Sequence, residues 1–149
     1  MSNQDFTVGS VLICDDIRRE ANGKAILIGV YVGDIVLNQM PATLPLSLWV
    51  QGTAPPGKQE FSIHVYVGEH PDKADPQLNA EPFALQVGPS GEFFLALTGL
   101  PMRFPEPTSL TVRFRKGQGE WEVIAKKQIV RQRQSDASDS MVAQNQQQQ

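Results

Sequence analysis

Apolar residues recur at every second position along most of this chain, and turns containing proline or glycine interrupt the pattern at intervals of about 8 to 14 residues. The alternation is clearest at 46–51, 61–67 and 110–115, and no long window carries the i, i+3, i+4, i+7 spacing of an amphipathic helix. Such a pattern is typical of strands that bury one face. It predicts an all-β fold with about seven to nine strands, arranged as a single antiparallel β-sandwich. Greek-key connections are compatible with this spacing, and a barrel is the less favoured alternative.

The inward-facing positions of these strands give a predicted hydrophobic core. It comprises Ile13, Ile17, Leu27, Ile28, Val30, Leu48, Phe61, Ile63, Val65, Leu85, Phe93, Leu95, Leu97, Val112, Phe114, Trp121 and Val123. The dipeptide Asn22-Gly23 predicts a tight hairpin turn between the first two strands. The second strand, 25–32, is nearly all apolar, so we expect both of its faces to be covered.

The length of 149 residues corresponds to about one domain. We divide the chain into an N-terminal extension at 1–5, a sandwich domain at 6–132 and a polar, Gln/Ser-rich tail at 133–149 that we expect to be disordered. The single cysteine, Cys14, excludes an intramolecular disulfide and is expected to be a small buried side chain. Neither a signal peptide nor an apolar run of membrane-spanning length is recognisable, so a cytoplasmic location is expected.

Three carboxylates lie within or beside the apolar runs near the N-terminus: Asp15, Asp16 and Asp34. A carboxylate in a strand must be solvated, paired or coordinated, because burying it alone is costly. One hypothesis is a divalent cation site, with oxygen ligands from Asp15 or Asp16 together with Asp34. The favoured alternative is that one of these acids pairs with an arginine or caps a turn while the others are solvated. No other cofactor is expected.

Catalytic patterns are absent from the sequence. It contains no phosphate-binding glycine loop, no nucleophile elbow and no paired zinc-binding histidines. His64 alternates with core positions on the polar face of its strand, beside Ser62 and Tyr66. His70 lies in the acidic stretch 69–82, which is expected to be a solvated loop. The proline-rich stretch 101–107 is expected to be another loop. A non-enzymatic protein is therefore expected.

Basic residues are concentrated near the C-terminal end of the predicted domain. Residues 110–134 carry seven basic and two acidic side chains, whereas 53–109 carry three basic and seven acidic ones. Arg113, Arg115, Lys126 and Lys127 are the candidate partner-binding residues, and such a row suits phosphates or an acidic protein. The net charge of −3 and the lack of clustered exposed aromatic residues argue against a nucleic-acid binder.

The segments CDDIR (14–18), GK (23–24), LIGVY (27–31) and GDI (33–35) resemble the opening signature of a family of small bacterial and prophage-associated proteins with no assigned activity. The resemblance covers about 40 residues. It implies a bacterial or phage origin and a single all-β domain.

These observations favour a protein-interaction or structural module that binds a protein partner or associates with itself, because a sandwich exposes edge strands. Two alternatives remain open. One is a small metal-dependent enzyme or cation-binding domain built on Asp15, Asp16 and Asp34. The other is a nucleic-acid-binding module that uses the basic C-terminal strands.

Overall fold

The computed structural model describes residues 6–73 and 75–133, apart from the side chains of residues 80 and 81. These residues form nine β-strands and one 3-10 turn, Pro71–Lys73. The strands are β1 (Thr7–Arg19), β2 (Ala25–Val30), β3 (Ile35–Leu37), β4 (Ala42–Thr53), β5 (Gly57–Val67), β6 (Leu78–Val87), β7 (Glu92–Phe104), β8 (Thr108–Lys116) and β9 (Glu122–Arg131). The predicted extension at 1–5 and the predicted disordered tail beyond residue 133 lie outside the described residues. Within the described part of the chain, no helix is long and apolar enough to cross a membrane.

The strands form two sheets that pack against each other. Sheet A has the strand order β2-β1-β4-β7, and sheet B has the order β3-β9-β8-β5-β6. The neighbouring strands run antiparallel, except that the three-residue β3 lies parallel to β9. The predicted all-β sandwich is therefore confirmed, with one parallel pair that the alternation did not indicate. This pair arises because the chain leaves sheet A after β2 and enters sheet B as an edge strand beside β9.

The core lies between the sheets, and Phe61 is at the centre of its aromatic part. The Phe61 side chain is 0% exposed. Its ring centroid is 4.5 Å from that of Phe6, 5.4 Å from those of Phe93 and Phe114, and 5.8 Å from that of Phe83. Strands of both sheets and the segment before β1 thus meet at one ring.

Most of the predicted core is buried, namely Ile13, Ile17, Leu48, Phe61, Ile63, Val65, Phe93, Leu95, Val112 and Phe114. Leu85 and Leu97 are partly buried and pack against the core. The prediction was wrong for Ile28, Val30 and Val123, which are exposed. Leu27 and Trp121 are partly buried but lie outside the core cluster.

The second strand was predicted to be covered on both faces, and that was wrong: β2 lies at the edge of sheet A, and its side chains Ile26, Ile28 and Val30 are exposed. It ends at Val30 rather than at residue 32. The predicted hairpin that leads into it is present, since the Gly23 amide donates to the Glu20 carbonyl and Gly23 has a φ of 87°. A short apolar run has the same sequence pattern in a central strand and in an exposed edge strand, so periodicity alone does not separate them.

Two segments that were interpreted as loops belong partly to strands. β6 begins at Leu78, inside the predicted loop 69–82, and β7 continues through Pro101 to Phe104. Pro101 lies opposite Pro45 in the β4–β7 register. Placing two residues without an N–H opposite each other disturbs one ladder position rather than two. As a result Met102 and Phe104, which the sequence placed in a proline loop, are core residues with 2% and 0% exposure.

Candidate interaction face

The outer face of sheet B carries a group of cationic and aromatic side chains. Along β5 and β8 the side chains of Ser62, His64, Tyr66, Arg113 and Arg115 alternate with core residues, so they lie on the outer side of sheet B, where Ser62 and Tyr66 are themselves covered by neighbouring side chains. The register places His64 opposite Arg113, and Ser62 opposite Arg115. We call the surface formed by His64, Tyr66, Arg113, Arg115 and Trp121 the basic-aromatic face.

Stacking interactions order the arginines on this face. The rings of His64 and Trp121 are stacked with centroids 4.1 Å apart. The guanidinium carbon of Arg115 lies 4.6 Å from the Trp121 centroid, and that of Arg113 lies 5.1 Å from the Tyr66 centroid. Both distances are within the range of cation–π attraction, which reduces the rotamer freedom of each arginine. The two charges are therefore held in place before any partner binds.

His64 is fixed by hydrogen bonds from both ring nitrogens. Its Nε2 is 2.8 Å from Oδ1 of Asn79, and its Nδ1 is 3.1 Å from the Tyr66 hydroxyl. Because an amide oxygen only accepts, Nε2 must be the donor, and a neutral ring then accepts the Tyr66 proton at Nδ1. These two hydrogen bonds hold the His64 ring in the orientation in which it stacks on Trp121.

An acidic side chain from the same chain already contacts the basic-aromatic face. Nη2 of Arg113 donates to Oδ1 of Asp72 at 2.6 Å. The Arg113 side chain is 19% exposed, whereas that of Asp72 is 81% exposed. Among the described residues, Nε of Arg113, Nε of Arg115 and Oγ of Ser62 are buried without a hydrogen-bond partner. Buried donors of this kind are uncommon in folded proteins.

The two lysines predicted to bind a partner lie in different surroundings. Lys126 is exposed and lies opposite Thr111, in the same row of sheet B as Tyr66. Lys127 lies opposite the core residue Leu110, and its Nζ donates to the backbone carbonyl of Tyr31 at 2.8 Å. Arg113, Arg115 and Lys126 therefore share the outer face of sheet B. Lys127 instead ties β9 to the segment after β2.

The structure places the three candidate metal-binding acids in separate roles. Asp15 accepts a hydrogen bond from the Tyr31 hydroxyl at 2.8 Å. Asp16 accepts from the Ile17 amide at 2.9 Å and forms an ion pair with Arg18 at 3.3 Å. Asp34 lies exposed beyond β2. Within the described chain, no three His, Cys, Asp or Glu side chains converge in a way that would hold a metal ion. The Asp16–Arg18 pair is a contact of the kind described by the favoured alternative, in which one acid pairs with an arginine.

The contact between Asp15 and Tyr31 also affects proton binding. Burial and the neighbouring Asp15 carboxylate raise the pKa of Tyr31 to about 12. The phenol therefore stays protonated near neutral pH and keeps donating to Asp15. Burial, followed by the charge of Asp15, raises the pKa of the Cys14 thiol. A thiol with a raised pKa is a weak nucleophile, which agrees with its expected place as a buried side chain.

A second candidate surface is the free edge of sheet A. β2 is paired on one side only, with β1. Its side chains Ile26, Ile28 and Val30 are 43%, 38% and 37% exposed. An unpaired apolar edge is a template for another strand, and natural proteins usually blunt such edges with charges or prolines.

Comparison with protein-family models gives no match to this chain, and comparison with curated proteins gives none either. The resemblance of the N-terminal signature to a family therefore remains a prediction.

Sequence reasoning identified Arg113 and Arg115 but missed the aromatic side chains beside them. Trp121 was assigned to the core. A signal was present: Arg115 and Trp121 are equally far from Gln118 in the turn that joins β8 to β9. A hairpin brings such positions together. Asp72 had no local signal, since it is 41 residues from Arg113.

Proposed function

We propose that this protein is a non-enzymatic interaction module that binds an acidic protein partner through the basic-aromatic face. The observation that carries the proposal is the pair of arginines stacked on Tyr66 and Trp121, with one of them already holding a carboxylate. Tryptophan, tyrosine and arginine are the residues most often found at the energetic centres of protein interfaces. Their preordering on a sheet lowers the entropy cost of binding.

The state of the nucleophilic and basic groups supports a binding role rather than catalysis. Both ring nitrogens of His64 are engaged in hydrogen bonds, and the Cys14 thiol is buried with a raised pKa. An acidic partner fits the face better than an apolar one, because its two arginines would otherwise lose hydration without compensation.

The Trp121→Ala variant tests this role. We expect it to weaken partner binding by about 30-fold, the loss typical of an interface hot spot, because it removes the surface that orders both His64 and Arg115. The full-length chain is immobilised, and host-lysate proteins retained by wild type and variant are quantified by mass spectrometry. The supporting result is an acidic protein that the wild type retains and Trp121→Ala loses.

Trp49→Ala is the matched control, because Trp49 is stacked on Phe94 in sheet A, with centroids 4.8 Å apart. It should retain the partner. Nuclease treatment of the lysate forms a second arm. Loss of the partner in both tryptophan variants would contradict the proposal. Loss of all retained material on nuclease treatment would also contradict it, and would favour the nucleic-acid alternative.

Self-association through β2 is a second candidate, favoured by the exposed Ile26, Ile28 and Val30. Two such edges would join two copies of sheet A. We expect sedimentation velocity to show a concentration-dependent dimer for the wild type and a monomer for Ile28→Lys, since a charge at the edge opposes strand pairing. Val123→Lys, at an exposed apolar position in sheet B, should dimerise like the wild type. A wild-type chain that remains monomeric at about 1 mM would reject this candidate, because its free energy of dimerisation would then be weaker than about 4 kcal/mol.

A further inference from the structure

We infer that Asp72 acts as a built-in competitor on the basic-aromatic face: its carboxylate occupies the place that an aspartate or glutamate of the partner takes on Arg113. The inference rests on the proposed function and specifies how that surface is controlled. The partner would displace the Pro71–Lys73 turn from Arg113 as it binds.

The two members of the ion pair differ in how firmly they are held. Arg113 is only 19% exposed, and its guanidinium lies over the ring of Tyr66, a contact that does not involve Asp72. Asp72 is 81% exposed. Because little of the Asp72 side chain is held by packing, the movable partner in this contact is Asp72.

The turn that carries Asp72 is weakly anchored. Pro71–Lys73 contains no buried residue, and one backbone hydrogen bond, from the Lys73 amide to the His70 carbonyl at 3.0 Å, closes it. Segments with few buried contacts open at low free-energy cost. The chain is fixed again at Gln77, whose side chain bonds the Arg103 backbone amide and carbonyl at 2.8 Å each. The turn can therefore move without disturbing β6.

A partner carboxylate could form more hydrogen bonds with Arg113 than Asp72 does. Asp72 uses a single Nη2 donor of Arg113, whereas a guanidinium presents paired donors that bind a carboxylate in bidentate fashion. Arg115, two residues away on the same face, offers a second cation to a peptide with several acidic side chains. An acidic segment would thus replace a one-point contact with a multipoint one.

Competition by Asp72 is expected to lower the affinity for an acidic peptide by a small but measurable factor. Ion pairs with one solvent-exposed member contribute little, so removing the competitor should tighten acidic-peptide binding by about two- to fivefold. The probe is a fluorescein-labelled hexaglutamate peptide, and the readout is fluorescence anisotropy with the full-length chain at low salt. Asp72→Asn should bind the peptide about two- to fivefold more tightly than the wild type.

Asp75→Asn is the matched control, because it removes the same charge from the same connection without touching the Arg113–Asp72 pair. Asp75→Asn should bind the peptide as tightly as the wild type does. In an Arg113→Gln background, Asp72→Asn should give no gain in affinity. Equal gains in Asp72→Asn and Asp75→Asn would mean a net-charge effect and would overturn the inference. The proposed function would then stand as long as Trp121→Ala still weakens peptide binding.

Other outcomes separate the two claims. If no variant binds hexaglutamate, or Trp121→Ala binds like the wild type, the acidic-partner function fails and the inference fails with it. If a labelled six-nucleotide oligothymidine binds more tightly than hexaglutamate, the face is a nucleic-acid surface and the inference is overturned as stated.

Discussion

Replacing Phe61 with alanine is expected to lower the free energy of unfolding by about 3–5 kcal/mol, the usual loss for a large aromatic removed from a core. The side chain is 0% exposed, and its ring contacts four other phenylalanines contributed by β6, β7, β8 and the segment before β1. The cavity would lie where both sheets meet, so relaxation of one strand would not fill it. Urea denaturation followed by tryptophan fluorescence measures the loss.

Phe94→Ala is the control for this substitution. Phe94 is adjacent to the core residue Phe93 on β7 but is only partly buried, where it stacks on Trp49 and lies under Arg19. We expect a loss of about 1 kcal/mol there, since the truncated ring leaves a surface groove rather than a cavity. Equal losses at the two positions would contradict the placement of Phe61 at the centre of the core.

The strands themselves were predictable because their signal is local. Alternation along β5 and β8 assigns each side chain to one face, and the structure confirms Phe61, Ile63 and Val112 as core residues. The Asn22-Gly23 turn was equally readable, since few residue pairs favour its geometry. Both features depend on residues a few positions apart.

The order of the strands within the sheets was not predictable in the same way. β2 lies at an edge because it pairs with β1 alone, whereas β1 also pairs with β4. This arrangement depends on contacts between distant segments, and an apolar hexapeptide carries no information about how many neighbours it has. The parallel β3–β9 pair has the same origin, since it joins Ile35 to Ile129.

The candidate site was partly predictable for a related reason. Alternation shows that Arg113, Arg115 and His64 point away from the core, but only the β5–β8 register shows that they are neighbours. The assignment of Trp121 to the core followed its hydrophobicity, whereas its aromatic ring stacks on a histidine and an arginine. Amphipathic side chains are often placed in this way, with one surface packed and one exposed.

Gly52 occupies the most crowded glycine position in the sandwich. It lies in β4, opposite Val8 of β1 and Phe93 of β7. A Cβ added there would overlap the Thr7 carbonyl oxygen and lie 3.0 Å from Cε1 of Phe93. The first neighbour is backbone and cannot rotate away, so β1 would have to move from β4 next to the irregularity between Val8 and Ser10.

Gly52→Ala is therefore expected to lower the free energy of unfolding by about 3 kcal/mol, at the upper end of ordinary overpacking. For a domain of this size the loss corresponds to a fall in Tm of roughly 10 °C. Gly33→Ala is the matched control, because a Cβ at Gly33 meets no atom within 4 Å and its φ is not in the left-handed region. It should be neutral or slightly stabilising, since alanine restricts the unfolded chain. Differential scanning calorimetry of both variants decides the matter: a Gly52→Ala protein that melts with the wild type would mean that β1 and β4 do not approach as closely as the structure places them.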